Sequence, residues 1–118
     1  MKIIQHPSGD DFIAEIIGEG LIIKNEEEAK DLLMTIRFDG SDRLILHQEN
    51  ITTNFFDLST KLAGNVLQHF SNFRAQLAIV GSFENIESQS LQDFIYESNK
   101  GKTVYFAESL DEALKALS

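Results

Sequence analysis

Leu44-Ile45-Leu46-His47 is an unbroken apolar run with a charged lead-in, Asp42-Arg43. A run this short with no alternation fits a strand buried on both faces, so it predicts a central strand in a layered α/β domain. Downstream, Leu77-Ala78-Ile79-Val80-Gly81 reads as a second buried strand and Thr103-Val104-Tyr105-Phe106 as the last. Between them lie helical patterns. Phe55, Leu58, Leu62, Val66, Phe70 and Phe73 step by three or four, which predicts one long helix capped by Asn54 with Asp57 at its third position. Gly64 within it costs about 1 kcal/mol relative to Ala, and this predicts close backbone packing against the sheet. A further helix is expected from about Leu91 to Ser98. Ser109-Leu110-Asp111-Glu112 is a capping box opening a final helix that buries Leu110, Ala113, Leu114 and Leu117.

Upstream of the central run, Asn25 with Glu28 forms a helix start, and Ala29, Leu32, Leu33 and Ile36 continue it until Gly40 supplies a left-handed cap. Phe12–Ile17 and Leu21–Ile23 flank Gly18-Glu19-Gly20, which predicts an opening hairpin with a glycine loop. The expected fold class is therefore α/β: an N-terminal β-hairpin followed by α-β-α-β-α-β-α, with a mixed, mostly parallel sheet. With 118 residues, 42% of them hydrophobic, the chain is expected to form a single domain over 1–118.

Composition excludes several classes of function. The chain has no cysteine, so disulfides and thiolate chemistry are absent. Its formal charge is −9, with −7 in residues 1–60 and −2 in residues 61–118, and no two basic residues are adjacent. Nucleic acid and anionic lipid surfaces both reward clustered Lys and Arg, so no nucleic-acid and no membrane partner is expected. The acidity itself serves solubility. No apolar stretch approaches the roughly 20 residues of a membrane span, and the start Met1–Pro7 lacks a secretory apolar core. A cytoplasmic location is expected.

Catalytic and cofactor motifs are missing. Neither G-x-G-x-x-G nor G-x-x-x-x-G-K-[ST] follows a strand, G-x-S-x-G does not occur, and His6, His47 and His69 do not form a metal-binding pair on one helical face. No cofactor and no metal are expected. Candidate residues come instead from the rule that ligands of open α/β sheets bind beyond the strand carboxyl ends. That rim includes Gln48, Glu49, Asn50, Thr52, Thr53 and Asn54 after the central strand, Gly81 and Ser82 after the next, and Glu108 and Ser109 after the last. Thr52, Thr53 and Asn54 lead into the long helix, whose free N–H groups would suit a small anionic ligand. His47 beside Glu49 would suit acid/base work, and Asp57, Glu49 and Glu108 could pair as carboxylates. Capping and turn formation explain the same residues without a ligand. Phe38, Phe83 and Tyr96 fit the buried stripes poorly and would suit an exposed patch for a protein partner or a homodimer.

The stretch from Asn50 through Arg74, with Leu77–Gly81 and Asp93–Gly101, resembles the bacterial family labelled domain of unknown function 4180. That resemblance spans the chain and carries no activity with it. The element order also resembles STAS-like domains, the class of bacterial anti-anti-sigma factors, in which a strand leads into a loop and helix bearing a phosphorylatable serine. Their usual Asp-Ser-Ser-Gly turn is replaced here by Thr52-Thr53-Asn54-Phe55, or alternatively by Asp57-Leu58-Ser59-Thr60. The expectation is a non-enzymatic regulatory or interaction module. The alternative is a small-ligand or anion-binding domain with a pocket at the strand ends, which could serve as a weak enzyme.

Overall fold

The computed structural model describes all 118 residues. Its elements are β1 (Lys2–Ser8), β2 (Asp11–Ile17), α1 (Glu26–Asp39), β3 (Arg43–His47), α2 (Leu62–Asn72), β4 (Gln76–Val80), α3 (Gln89–Lys100), β5 (Val104–Ala107) and α4 (Leu110–Leu117). The five strands form one sheet in the order β1-β2-β3-β4-β5, with β1 antiparallel to β2 and all other neighbours parallel. The expected order of a hairpin followed by α-β-α-β-α-β-α is what forms.

Sequential parallel strands joined by right-handed crossovers place their connecting helices on one face. That face holds the larger core, in which Ala29, Leu33 and Ile36 of α1 and Val66 and Phe70 of α2 pack on Ala14, Ile16, Leu44, Leu46, Leu77, Ile79 and Phe106. The opposite face carries a smaller core, where Ala113 and Leu117 of α4 join Ile13, Ile45, Ala78 and Ala107. β3 and β4 are therefore buried on both sides, as their unbroken apolar runs require.

Local chemistry sets the helix ends. The Asn25 side chain accepts from Glu28 N–H at 2.9 Å, and the Glu28 carboxylate accepts in turn from Lys24 N–H at 2.7 Å. Gly40 closes α1 at φ 109. Ser109 accepts from Glu112 N–H at 3.1 Å and opens α4. The third helix starts at Gln89, capped by Ser88, and extends to Lys100.

Three expectations are corrected. The hairpin is β1 with β2, turning through Gly9 and Asp10 with Gly9 at φ 65, and not Phe12–Ile17 with Leu21–Ile23. Leu21–Ile23 is drawn elsewhere: Asn50 donates to the carbonyls of Gly18 and Gly20 at 3.0 and 2.8 Å, and Ile22 and Ile23 N–H both donate to Asn50 C=O. Ile23 consequently makes a lone parallel bridge with Ile51.

The long helix is also shorter than its apolar stripe. Two 3-10 turns, Thr53–Phe56 and Leu58–Thr60, occupy its expected start, a third at Gln48–Asn50 lies upstream of it, and α2 begins only at Leu62. Short polar side chains hold the backbone in these turns instead. Asp57 accepts from Ser59 N–H at 3.0 Å, Thr60 donates to Asn54 C=O at 2.6 Å, and Lys61 turns left-handed at φ 66. Asn54 and Asp57 thus cap no α-helix.

Gly64, finally, packs against nothing. It is exposed, and a Cβ placed on it meets no atom within 4 Å. Gly64→Ala should therefore stabilise the domain by about 0.5–1 kcal/mol in chemical denaturation, and a loss of stability would show that the helix needs glycine there after all.

Candidate functional site

β2 to β5 run parallel, so the loops after β3, β4 and β5 do gather along one rim. There they bond mainly to one another. The Gln48 side chain lies across Gly81, where any Cβ would overlap it, and its Oε1 accepts from Ser82 N–H at 3.0 Å. Glu108 accepts from Phe83 N–H at 3.4 Å. Asn50 is buried, 2% exposed, with its amide committed to the Gly18–Gly20 loop. Thr52 is half-buried and accepts from Asn54 N–H at 3.4 Å, while Thr53, Asn54 and Glu49 stand exposed. The Ser59 hydroxyl and then its N–H hold the exposed Asp57 carboxyl below the usual carboxylate range. Asp57, Glu49 and Glu108 share no partner, and no surface cleft is lined by them. The clefts lie elsewhere, one of about 280 Å³ beside Leu67, Phe94 and Lys102.

Of the three aromatic residues that fit the buried stripes poorly, Phe83 packs inward while Phe38 and Tyr96 are exposed. Phe83 joins Phe56 and Phe106 in a cluster with centroids 6.2 and 5.3 Å away. Phe38 is 92% exposed, and Tyr96 lies under Lys100 Nζ at 4.5 Å.

A different constellation forms on the second face of the sheet. Glu15 of β2 is buried, and its Oε1 meets His6 Nε2 of β1 at 2.9 Å while its Oε2 meets His47 Nε2 of β3 at 2.7 Å. Register explains the meeting. Glu15 pairs with Ile4 and Ile45, so His6 and His47 each lie two residues along a neighbouring strand on the same face, within diagonal reach. α4 covers β4 and β5, and its end reaches Arg43 of β3, which donates to Leu117 C=O at 2.8 Å.

Burial pushes the Glu15 carboxyl up. Hydrogen bonds from His6 and His47, with the charges of both rings, outweigh that and hold it below its ordinary value of 4.5. An ionised carboxylate only accepts, so both Nε2 atoms carry hydrogen and each Nδ1 is the ring nitrogen without a protein partner. The arrangement orients two imidazoles as an acid/base pair would need, yet no nucleophile or further polar group converges on them. No group of three or more His, Asp and Glu has metal-binding geometry. The cluster acts as a clamp across β1, β2 and β3.

Sequence reasoning found His47 but paired it with Glu49, and it missed Glu15 and His6. The one available signal was Glu15 interrupting Phe12-Ile13-Ala14-Glu15-Ile16-Ile17. Because the carboxyl is depressed, its contribution to stability is complete above 4.5 and is lost as pH falls through the lower folded value. Below pH 4.5 the wild type should therefore lose stability more steeply than Glu15→Gln, which keeps the shape without the charge. Parallel denaturation curves from pH 6 to about 2 would count against this clamp.

A family model described as domain of unknown function (DUF4180) matches residues 8–117, and the chain belongs to that family. No curated protein and no solved structure matches it. No helix is long and apolar enough to cross a membrane.

Proposed function

We propose that this domain is a non-enzymatic regulatory interaction module of STAS-like type, bacterial and cytoplasmic, controlled at the segment joining β3 to α2. The observation that carries this reading is the chain of 3-10 turns there, which holds exposed hydroxyls directly before a helix. α2 begins at Leu62 with left-handed Lys61 as its cap, so the nearest hydroxyls upstream of the helix are Ser59 and Thr60, both exposed, while Thr52 and Thr53 lie further upstream. Of the two sequence stretches compared with the STAS turn, Asp57-Leu58-Ser59-Thr60 is the one adjoining the helix.

A phosphate on Ser59 would add about −1.5 to −2 charge next to Asp57, whose carboxylate now accepts from the Ser59 hydroxyl at 2.6 Å. Like-charge repulsion would open that turn and change the surface offered to a protein partner. The mutual bonding of Gln48 with Ser82 and of Glu108 with Phe83, and the lack of a cleft lined by the rim residues, support an interaction role over a ligand pocket.

The test compares partners crosslinked in cells by the wild type and by Ala and Asp variants of Thr52, Thr53 and Ser59. Ser59→Asp should lose a partner that Ser59→Ala keeps, and identical partner sets for all variants would remove the reading. A thermal-shift screen against metabolites checks the alternative, since a specific ligand at 100 times its Kd stabilises by about 2.7 kcal/mol. Such a hit would favour small-ligand binding instead.

A further inference from the structure

The two edges of the sheet are treated differently. Along β5, the Asn99 side chain of α3 accepts from Phe106 N–H at 2.7 Å and donates to Phe106 C=O at 3.3 Å, so an amide occupies the outward backbone groups of the residue before the last on this short strand. Along β1 no element lies outside the sheet.

The groups left open on β1 follow from its register. Pro7 lies opposite Phe12, whose carbonyl points away from β1 and accepts from the buried Ser41 hydroxyl. Pro7 and Phe12 are therefore a pair without mutual hydrogen bonds, and alternation makes Gln5 with Ala14 and Ile3 with Ile16 the same. The N–H groups of Ile3 and Gln5 and the carbonyls of Ile3, Gln5 and Pro7 point outward. Pro7 sits where its missing N–H costs no bond to β2.

We infer that β1 docks antiparallel against β1 of a second copy of this chain, making one continuous sheet across a two-fold axis at Gln5. In that register Gln5 exchanges both backbone bonds with the second copy's Gln5, and Ile3 N–H donates to the second copy's Pro7 carbonyl. Charge selects a second copy in this direction. β1 holds no carboxylate although the chain carries −9, and Lys2 at its start and Asp10 just past its end form no ion pair within the chain. Antiparallel pairing sets Lys2 opposite the second copy's Ser8, diagonal to Asp10, and does so twice. A two-fold β1–β1 contact closes on itself, and the four-residue β5 edge, with Phe106 taken by Asn99, offers little to extend it beyond two. This inference is independent of the role proposed for Ser59.

The test is sedimentation equilibrium of the full chain at rising concentration and in low and high salt. The mass should climb from 13.3 kDa toward twice that in both salts. Gln5→Pro removes the central donors without touching a β2 bond and should hold the mass at 13.3 kDa with unchanged circular dichroism. Asp10→Lys should weaken association several-fold, and adding Lys2→Asp should restore it; this pair decides the matter if Gln5→Pro fails to fold. A mass of 13.3 kDa at every concentration, a dimer indifferent to a folded Gln5→Pro, or a charge swap without rescue would overturn the inference.

Discussion

Arg43→Ala should destabilise the domain by about 2–4 kcal/mol, more than any other change confined to a polar side chain outside the rim. The guanidinium gathers four chain segments at the amino end of β3. It donates to Ser8 Oγ at 3.0 Å, to Ser8 C=O at 3.1 Å and to Leu117 C=O at 2.8 Å, and it pairs with Asp11. The side chain is only 14% exposed, so water cannot fully replace these bonds. Loss of the Leu117 contact should release the end of α4, which covers part of the second face. Arg43→Lys should recover only part of the loss, because an ammonium cannot present the same planar fork. Urea denaturation measures both, and an Arg43→Ala cost below about 0.5 kcal/mol would reduce the network to a surface decoration.

Phe70→Ala should cost about 3–5 kcal/mol, the largest effect of any single truncation here. Phe70 is 1% exposed and is the largest fully buried side chain. It stands on α2 among Leu32, Leu46, Phe55, Val66 and Leu77, joining two helices to β3 and β4. Removing the ring leaves a cavity that a tightly packed interior fills only in part. Against a typical total of about 5–15 kcal/mol, this variant should sit near the edge of folding, with a clearly lower thermal midpoint. Phe70→Leu should recover much of the loss, since it retains most of the apolar volume. A cost under about 1 kcal/mol for Phe70→Ala would mean that α2 is not seated as described.

Much of this architecture was legible before any coordinates, because its signals are local. Uninterrupted apolar runs gave β3 and β4, capping pairs gave the starts of α1 and α4, and glycine gave the end of α1. Legibility failed where distant residues compete for backbone groups. Asn50 takes the Gly18–Gly20 carbonyls from across the fold, so Ile22 and Ile23 leave the hairpin they were expected to form. The apolar spacing of Phe55 and Leu58 continues the helical stripe without showing that Asp57, Ser59 and Thr60 bind the backbone into 3-10 turns.

The candidate site divides the same way. That residues 48–54, Ser82 and Glu108 share one rim was legible because parallel topology places strand carboxyl ends together, and topology follows from element order. The clamp of His6, Glu15 and His47 joins residues 9 and 32 positions apart, and no linear pattern encodes such a meeting.

By itself, the sequence determined the order of elements, the mostly parallel sheet and the absence of a familiar catalytic motif, since periodicity, capping and composition act over a few residues. Only the tertiary structure decided which strand opens the hairpin, where α2 begins and which carboxylate two histidines share. Those outcomes depend on register between strands, and register is fixed by packing across the whole sheet.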